Sequence, residues 1–271
     1  MPLTALQRAV IAGLRPQRHP GSHVAGSIPQ HASDNSLRES LDIDLFHDAL
    51  AAVATSSDAD CQALEAQGFS IEHGDPWNPT HRRARITHPQ FPDSMEIDWV
   101  VDSAWRFHPP VADELLGWRL HDLDLACNKA LALGGRSESR DLVDIVSWSE
   151  RIPLAAICWA ACGKDPGFNP LMLLAMMRRF ARVDPGQLAR LRAHQLDPVV
   201  LKSRWLADAE QAAAQITALA DQQPDLPIGV AFLDRTGQSC WPQPQLPLAT
   251  QGLAIHHPSV GGCIPVLRLD G

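Results

Sequence analysis

The chain has 271 residues, of which 45% are hydrophobic and 20% charged, and its 31 acidic and 23 basic side chains leave a formal net charge of −8. This composition is ordinary for a globular protein and excludes a wholly disordered chain. The acidic balance excludes a general polyanion binder, because nonspecific affinity for nucleic acids comes from many Lys and Arg contacts to phosphate. No apolar run approaches the roughly 18–20 residues of a membrane span.

The first part of the chain carries both helix and strand signals. Residues 3–14 have the apolar spacing of a short amphipathic helix, and residues 48–67 suit a second helix. Residues 24–27, Val-Ala-Gly-Ser, are typical of a strand end that meets a turn. Apolar alternation and flanking turn residues predict further strands at 41–46, 69–72, 83–87 and 95–102.

From residue 120 onward the apolar period changes from 2 to 3.6, which predicts helices. We expect them at 120–134, 139–148, from Pro153, and at 169–182, 186–195 and 198–221. Residues 224–271 contain seven prolines and only five charged side chains, so they predict a tail of turns and short strands. The resulting fold class is mixed α+β: a small sheet domain with flanking helices over 1–118, a mainly helical domain over 119–223, and the Pro-rich tail over 224–271.

Cysteine use and the N-terminus indicate the compartment. The six cysteines form no C-x-x-C pair and are too sparse for a disulfide scaffold. The first 14 residues lack the long apolar segment and cleavage site of a secretory signal. We therefore expect a cytoplasmic protein with reduced thiols.

The sharpest chemical feature is Gly26-Ser27, followed after fourteen residues by Asp42-Ile43-Asp44. Carboxylates two apart on a strand project from the same face and can bind hard divalent cations through oxygen. A Gly-Ser turn before a helix leaves backbone N–H groups free to hold phosphate. An exposed, merely solvated acidic strand is the alternative interpretation of Asp42 and Asp44.

A later acidic strand offers a third ligand. By the same alternation Glu96, Asp98 and Asp102 share one face, and any of them could complete a three-carboxylate site. We favour Asp98, because its apolar neighbours Ile97 and Trp99 best fit a buried strand. Two metal ions held by such a triad would support in-line displacement at phosphorus.

A second constellation lies in the predicted helices. Lys129 is one of three lysines in the chain and sits among apolar residues, so it could reach a triphosphate as a point charge. The alternative is structural: a Lys129–Asp144 or Arg140–Asp141 ion pair that links two helices.

These segments resemble a known family. Gly26-Ser27, residues 38–48 with Asp42-Ile43-Asp44, residues 99–107 and residues 124–144 resemble the AbiEii-type nucleotidyltransferases of the DNA-polymerase-beta-like superfamily, many of which are toxins of bacterial type IV toxin–antitoxin systems. The resemblance covers about residues 22–150.

The resemblance implies roles for individual residues. Gly26 and Ser27 match the turn that cradles nucleotide phosphates, and Asp42 and Asp44 match the metal-binding pair. Lys129 matches a nucleotide-contacting lysine, and Arg38 falls where a basic residue often precedes the acidic pair. Asp141 and Asp144 match the last motif of the family, and we assign both residues to nucleotide binding.

The function that follows is a Mg²⁺-dependent nucleotidyltransferase, with two ions held by Asp42, Asp44 and Asp98, that moves a nucleoside monophosphate from an NTP to an acceptor. Lys129 and Arg38 would stabilise the negative charge that develops during transfer, so we also predict a catalytic role for Lys129. The resemblance implies the tRNA 3′ end as a possible acceptor and a cognate antitoxin as a possible protein partner.

Charge distribution leaves a local RNA contact open. Residues 1–150 carry 22 acidic and 12 basic side chains, whereas residues 151–271 carry 9 and 11. Five arginines cluster in the predicted helical part: Arg178, Arg179, Arg182, Arg190 and Arg192. A solvated helical face explains them equally well.

Two further functions remain as alternatives. A non-catalytic module of the same fold would bind a nucleotide or a protein without turnover. A small-molecule nucleotidyltransferase would modify a cationic antibiotic such as an aminoglycoside, attracted by the additional acids Glu96 and Asp102.

Overall fold

The computed structural model describes residues 3–32, 36–74, 78–191 and 196–267, and it contains both helices and strands. The strands are β1 (Ser22–Val24), β2 (Asp42–His47), β3 (Ser70–His73), β4 (His81–Thr87), β5 (Ser94–Val101), β6 (Trp105–Arg106), β7 (Val111–Asp113), β8 (Gly117–Arg119), β9 (Ala231–Leu233), β10 (Ala254–His256) and β11 (Ser259–Val260). The helices are α1 (Ala5–Leu14), α2 (Ile28–His31), α3 (Leu50–Glu65), α4 (Asp122–Gly135), α5 (Ser139–Ser149), α6 (Leu154–Ala161), α7 (Pro170–Phe180), α8 (Pro185–Arg190) and α9 (Pro198–Gln222). The α+β prediction is confirmed.

The chain divides into two compact units. The first unit comprises residues 1–104 and 109–121, and the second comprises residues 105–108 and 122–271. The proposed domain limits at 118 and 223 stay a prediction. No helix in the described part of the chain is long and apolar enough to cross a lipid bilayer.

The first unit is built on a seven-stranded mixed sheet with the order β3-β4-β5-β2-β1-β8-β7. Strand β2 runs parallel to β5, and the register places Asp42 opposite Glu96 and Asp44 opposite Asp98. Strand β4 runs antiparallel to β5 on the other side, with Arg83 opposite Asp98. Acidic residues from two neighbouring strands therefore meet on one face of the sheet.

The opposite face of the sheet forms the core of the first unit. Ile43 and Leu45, which alternate with the two aspartates on β2, are fully buried. Helices α1 and α3 pack together, and α3 packs against β5. Because a one-residue slip of β2 would exchange the buried and acidic faces, core packing fixes the direction in which the aspartates point.

A buried polar network crosses this core. Arg18 forms an ion pair with Asp60, whose second oxygen accepts a hydrogen bond of 2.8 Å from Trp99 Nε1. Arg18 also donates to Ser22 Oγ at 2.8 Å, and Ser22 Oγ lies 3.1 Å from His47 Nε2. Burial, reinforced by the charge of Arg18, lowers the pKa of His47 to about 4.

The second unit is mainly helical, as predicted. Helix α4 contacts α5, α6 and α7, and every residue of α6 is buried, as expected of a central helix that is apolar on all sides. Helix α8 ends at Arg190, short of the predicted limit of 195, and residues 192–195 lie outside the described residues. In the tail, β10 pairs with β9, and β11 pairs with β6.

Candidate functional site

Three aspartates of the first unit converge at the β2–β5 pair. Asp42, Asp44 and Asp98 each present a carboxylate oxygen, and these oxygens all lie within 4.8 Å of one another. Asp42 and Asp44 are half-buried, whereas the Asp98 side chain is only 4% exposed. Within the described ranges no other three His, Cys, Asp or Glu side chains come this close. We refer to these residues as the aspartate triad.

The triad selects among the carboxylates that the sequence leaves open. Asp98 completes the group, as favoured. Glu96 lies two residues earlier on β5 with a half-exposed side chain and forms an ion pair with Arg83 instead. Asp102 follows the end of β5, where its backbone N–H donates to the carbonyl of His47 at 3.0 Å.

The donor set of the triad fits a hard divalent cation. All three ligands are carboxylate oxygens, which Mg²⁺ and Mn²⁺ prefer. Oxygens around a bound Mg²⁺ are roughly 3–4 Å apart, so a spacing within 4.8 Å closes by small side-chain rotations.

Gly26 lies against the triad and has to be glycine. Its φ is +61°, a left-handed conformation that side chains disfavour. A Cβ at this position would lie 1.7 Å from Asp44 Oδ2 and 2.9 Å from Asp44 Cβ. The backbone N–H of Ala25 donates to the carbonyl of Asp44 at 2.9 Å and so holds the turn in this place. Only a residue without a side chain therefore fits here beside the carboxylate of Asp44.

Ser27, next to Gly26, is connected to the triad by a second serine that the sequence reasoning missed. The hydroxyls of Ser27 and Ser40 lie 2.6 Å apart, and Ser40 Oγ donates to the carbonyl of Asp42 at 3.1 Å. Gln7 of α1 donates to the carbonyl of Ser40 at 2.5 Å. Ser27, Ser40 and Gln7 are all buried. The available signal was that Ser40 precedes Asp42 by two residues and so shares its side of the chain.

Arg38 belongs to the same buried segment as Ser40. Only 2% of Arg38 is exposed, and its guanidinium donates to the carbonyl of Glu39 at 2.8 Å. The structure thus places this predicted site residue beneath the surface, beside the segment that leads into β2.

Two residues of β4 contact the triad and were missed by the sequence reasoning. Arg83 donates from Nε to Asp98 Oδ1 at 2.8 Å and from Nη2 to Asp98 Oδ2 at 3.0 Å, while His81 Nε2 contacts Oδ1. The hydrogen bonds to Asp98 raise the pKa of Arg83 above its ordinary value. These contacts follow from the β4–β5 register, but the register of a strand pair cannot be predicted from each strand's sequence in isolation.

The predicted residues on α4 and α5 form a cluster of their own in the second unit. Lys129 Nζ lies 2.9 Å from Asp144 Oδ2 and 3.8 Å from Asp141 Oδ1. Arg136 donates to both oxygens of Asp141, at 2.7 and 3.2 Å. Both aspartate side chains are fully buried, and that of Lys129 is 12% exposed. The Lys129–Asp144 pair considered as the structural alternative is therefore present, and the nucleotide role of Lys129 stays a prediction.

Comparisons with known proteins find relatives in structure alone. No family model matches the chain, and no curated protein matches it in sequence. JHP933 from Helicobacter pylori superposes with a TM-score of 0.50 at 12% identity, covering 81% of this chain and 97% of JHP933. A second H. pylori protein, described as a candidate nucleotidyltransferase, has a TM-score of 0.49, 14% identity and coverage of 79% and 94%. MenT4, a nucleotidyltransferase toxin from Mycobacterium tuberculosis, has a TM-score of 0.42, 13% identity and coverage of 77% and 98%.

At these identities the likeness is one of fold. The protein shares the fold of JHP933 over about four fifths of its length. What the chain does with the fold rests on its own residues.

Proposed function

We propose that the protein is a Mg²⁺-dependent nucleotidyltransferase that moves a nucleoside monophosphate from an NTP to an acceptor hydroxyl. The observation that carries this proposal is the aspartate triad, three carboxylates on two parallel strands with the Gly26 turn pressed against Asp44. In the reaction the acceptor oxygen forms a bond to the α-phosphorus, the bond from that phosphorus to the β-phosphate oxygen breaks, and pyrophosphate leaves. The acceptor proton passes to water.

The residues of the first unit divide the work. Asp42, Asp44 and Asp98 would hold two Mg²⁺ ions, which when bound supply Lewis-acid charge to the reacting phosphate and the departing pyrophosphate. Gly26 presents backbone without a side chain, so a phosphate can approach the turn closely. Ser40 fixes both Ser27 and Asp42, and thereby couples the turn to one ligand.

Further residues enter the proposal through the resemblance. Lys129, Asp141 and Asp144 would take part in nucleotide binding, and Lys129 with Arg38 would stabilise negative charge that develops in transfer. The support for these roles is the match of these positions to the family motifs.

The proposed acceptor is the tRNA 3′ end, and the proposed setting is a cytoplasmic toxin neutralised by an antitoxin protein. Beyond the resemblance, support comes from exposed basic side chains of the second unit: Arg178, Arg179, Arg182 and Arg190. Arg192, the fifth arginine of the predicted cluster, lies outside the described residues. Exposed arginines suit a phosphate backbone.

The experiment that tests the chemistry is a transfer assay. The purified protein is incubated with each α-³²P-labelled NTP, Mg²⁺ and total tRNA, a protein extract or an aminoglycoside. We expect label on tRNA, released pyrophosphate, and loss of both in Asp42→Asn and Asp44→Asn. Asp58→Asn, which alters an exposed carboxylate on α3, is the matched control and should retain activity. Absence of any transfer that requires Asp42 and Asp44 would refute the proposal.

Other outcomes identify the alternatives. Tight NTP binding without metal and without pyrophosphate release, measured by calorimetry, would favour the non-catalytic module. Label on the aminoglycoside would favour the antibiotic-modifying enzyme. If the protein is a toxin, its expression should arrest bacterial growth, and co-expression of a short neighbouring gene should restore growth. Growth arrest that persists in the Asp44→Asn variant would argue against a catalytic toxin.

A further inference from the structure

The most deeply buried member of the triad is neutralised by an arginine of the chain itself. Both oxygens of Asp98 accept hydrogen bonds from Arg83, in the two-pronged geometry that gives the strongest carboxylate–guanidinium pairs. The Asp98 side chain is 4% exposed, whereas that of Arg83 is 48% exposed. The Asp98 carboxylate is therefore fixed in the sheet, whereas the Arg83 guanidinium has room to move.

A divalent cation in the triad needs the same carboxylate. A carboxylate has about four lone-pair positions, of which Arg83 uses two and His81 contacts one of the same oxygens. A guanidinium in contact with Asp98 would also stand a few ångströms from the bound ion, and like charges at such distances repel strongly. A divalent cation in the triad and Arg83 in its present position therefore compete for the Asp98 carboxylate.

A second partner for Arg83 is already in place. Arg83 Nη1 lies 3.3 Å from Glu96 Oε2. Glu96 lies on β5, two residues before Asp98. The Glu96 side chain is 50% exposed. A small rotation of the arginine would exchange its contact with Asp98 for a fuller contact with Glu96, without leaving the guanidinium unpaired.

We propose that Arg83 is a displaceable counter-ion of Asp98, which pairs with this carboxylate in the metal-free protein and moves onto Glu96 when a divalent cation binds the triad. The inference rests on the proposed function and deepens it, because it assigns to Arg83 the control of cation entry. Arg83 is in this sense a positioning residue that acts through Asp98.

Arg85 provides the matched control. It lies two residues from Arg83 on the same strand and the same face, and it pairs instead with Ser94 Oγ at 2.8 and 3.0 Å. Removing its charge changes the net charge of the protein equally and leaves the contacts of Arg83 with Asp98 and Glu96 in place, although Arg85 itself lies opposite Glu96 in the β4–β5 register.

The test is a titration of the nucleotide-free protein with Mn²⁺, followed by electron paramagnetic resonance of the free ion. We expect Arg83→Gln to bind Mn²⁺ about fivefold to tenfold more tightly than the unmodified protein, and Arg85→Gln to differ by less than about twofold. Arg83→Lys, which keeps the charge but loses the two-pronged contact, should fall between them. A structural role for Arg83 predicts the opposite, since damage to the site weakens binding.

The outcomes separate this inference from the proposed function. If Asp44→Asn abolishes Mn²⁺ binding but Arg83→Gln binds no more tightly than the unmodified protein, the metal site stands and the displaceable counter-ion is refuted. If Asp44→Asn leaves binding unchanged, the triad is not the metal site and both ideas fail. Should Arg83→Gln not fold, as judged by circular dichroism, Arg83→Lys decides by the same criterion.

Glu96 is tested in combination with Arg83. Glu96→Gln should weaken Mn²⁺ binding more when Arg83 is present than in the Arg83→Gln background, because in the latter only the direct charge of Glu96 is lost. Equal weakening in both backgrounds would refute the transfer of Arg83 onto Glu96.

Discussion

Replacing Gly26 by alanine tests the close approach on which the site depends. A left-handed alanine costs about 1–2 kcal/mol relative to glycine. The added Cβ would lie 1.7 Å from Asp44 Oδ2, which the aspartate can relieve by rotating, and 2.9 Å from Asp44 Cβ, which it cannot. The turn or β2 must therefore shift by about 0.5 Å to restore ordinary contact. We expect a loss of about 2–4 kcal/mol in the free energy of unfolding.

The same substitution should impair ligand binding, because Asp44 is moved away from the other two carboxylates. Urea unfolding gives the stability, and Mn²⁺ titration should show affinity lower by about tenfold or more. Gly135→Ala is the control: it lies in α4, a Cβ there meets nothing within 4 Å, and helix propensity favours it by up to about 1 kcal/mol. If Gly26→Ala kept both the stability and the Mn²⁺ affinity of the unmodified protein, the contact between the turn and Asp44 would not be what requires a glycine at position 26.

Three further predictions concern buried charges. The pKa of His47 is about 4 in the folded protein and about 6.5 in the unfolded chain, so the unfolded state takes up the proton first as the pH falls. The free energy of unfolding should therefore decrease by about 2 kcal/mol from pH 7 to pH 5. In urea unfolding at several pH values His47→Gln should remove most of this decrease, and a decrease that persists in the variant would come from other groups. Asp60→Ala leaves the buried Arg18 without its ion-pair partner and should cost about 3–5 kcal/mol, measured by thermal and urea unfolding; a cost under 1 kcal/mol would contradict the burial argument. Lys129→Met should destabilise the protein by about 2–4 kcal/mol, because Asp144 remains buried and charged, and the combined Lys129→Met, Asp144→Leu change should recover much of that loss.

Local pattern was sufficient to find most of the aspartate triad. The period-2 alternation around Ile43 placed Asp42 and Asp44 on one face, and the apolar neighbours of Asp98 favoured it over Glu96. Each of these patterns involves only residues that are close to one another along the chain. The contact of Arg83 with Asp98 was not accessible in this way, because it depends on which residues of β4 and β5 stand opposite each other.

The same limit applies to the fold. The helices of the second unit were predicted because long amphipathic or apolar segments carry a strong periodic signal. Strands β6, β7 and β8 were missed: they have two or three residues each, too few for alternation to be visible. They exist through their partners, since β8 pairs with β1 and β6 pairs with β11 near the end of the chain.

The parallel pairing of β2 with β5 also has a kinetic consequence. A parallel pair has to be joined by a long connection, and here α3, β3 and β4 all lie between the two strands. The antiparallel β3–β4–β5 segment involves shorter loops and can form first, whereas the β2–β5 pairing closes a longer one and is expected later. A nascent chain released after β4 would contain Gly26, Asp42 and Asp44 without Asp98, so the proposed metal site is complete only when β5 has been synthesised and has paired with β2.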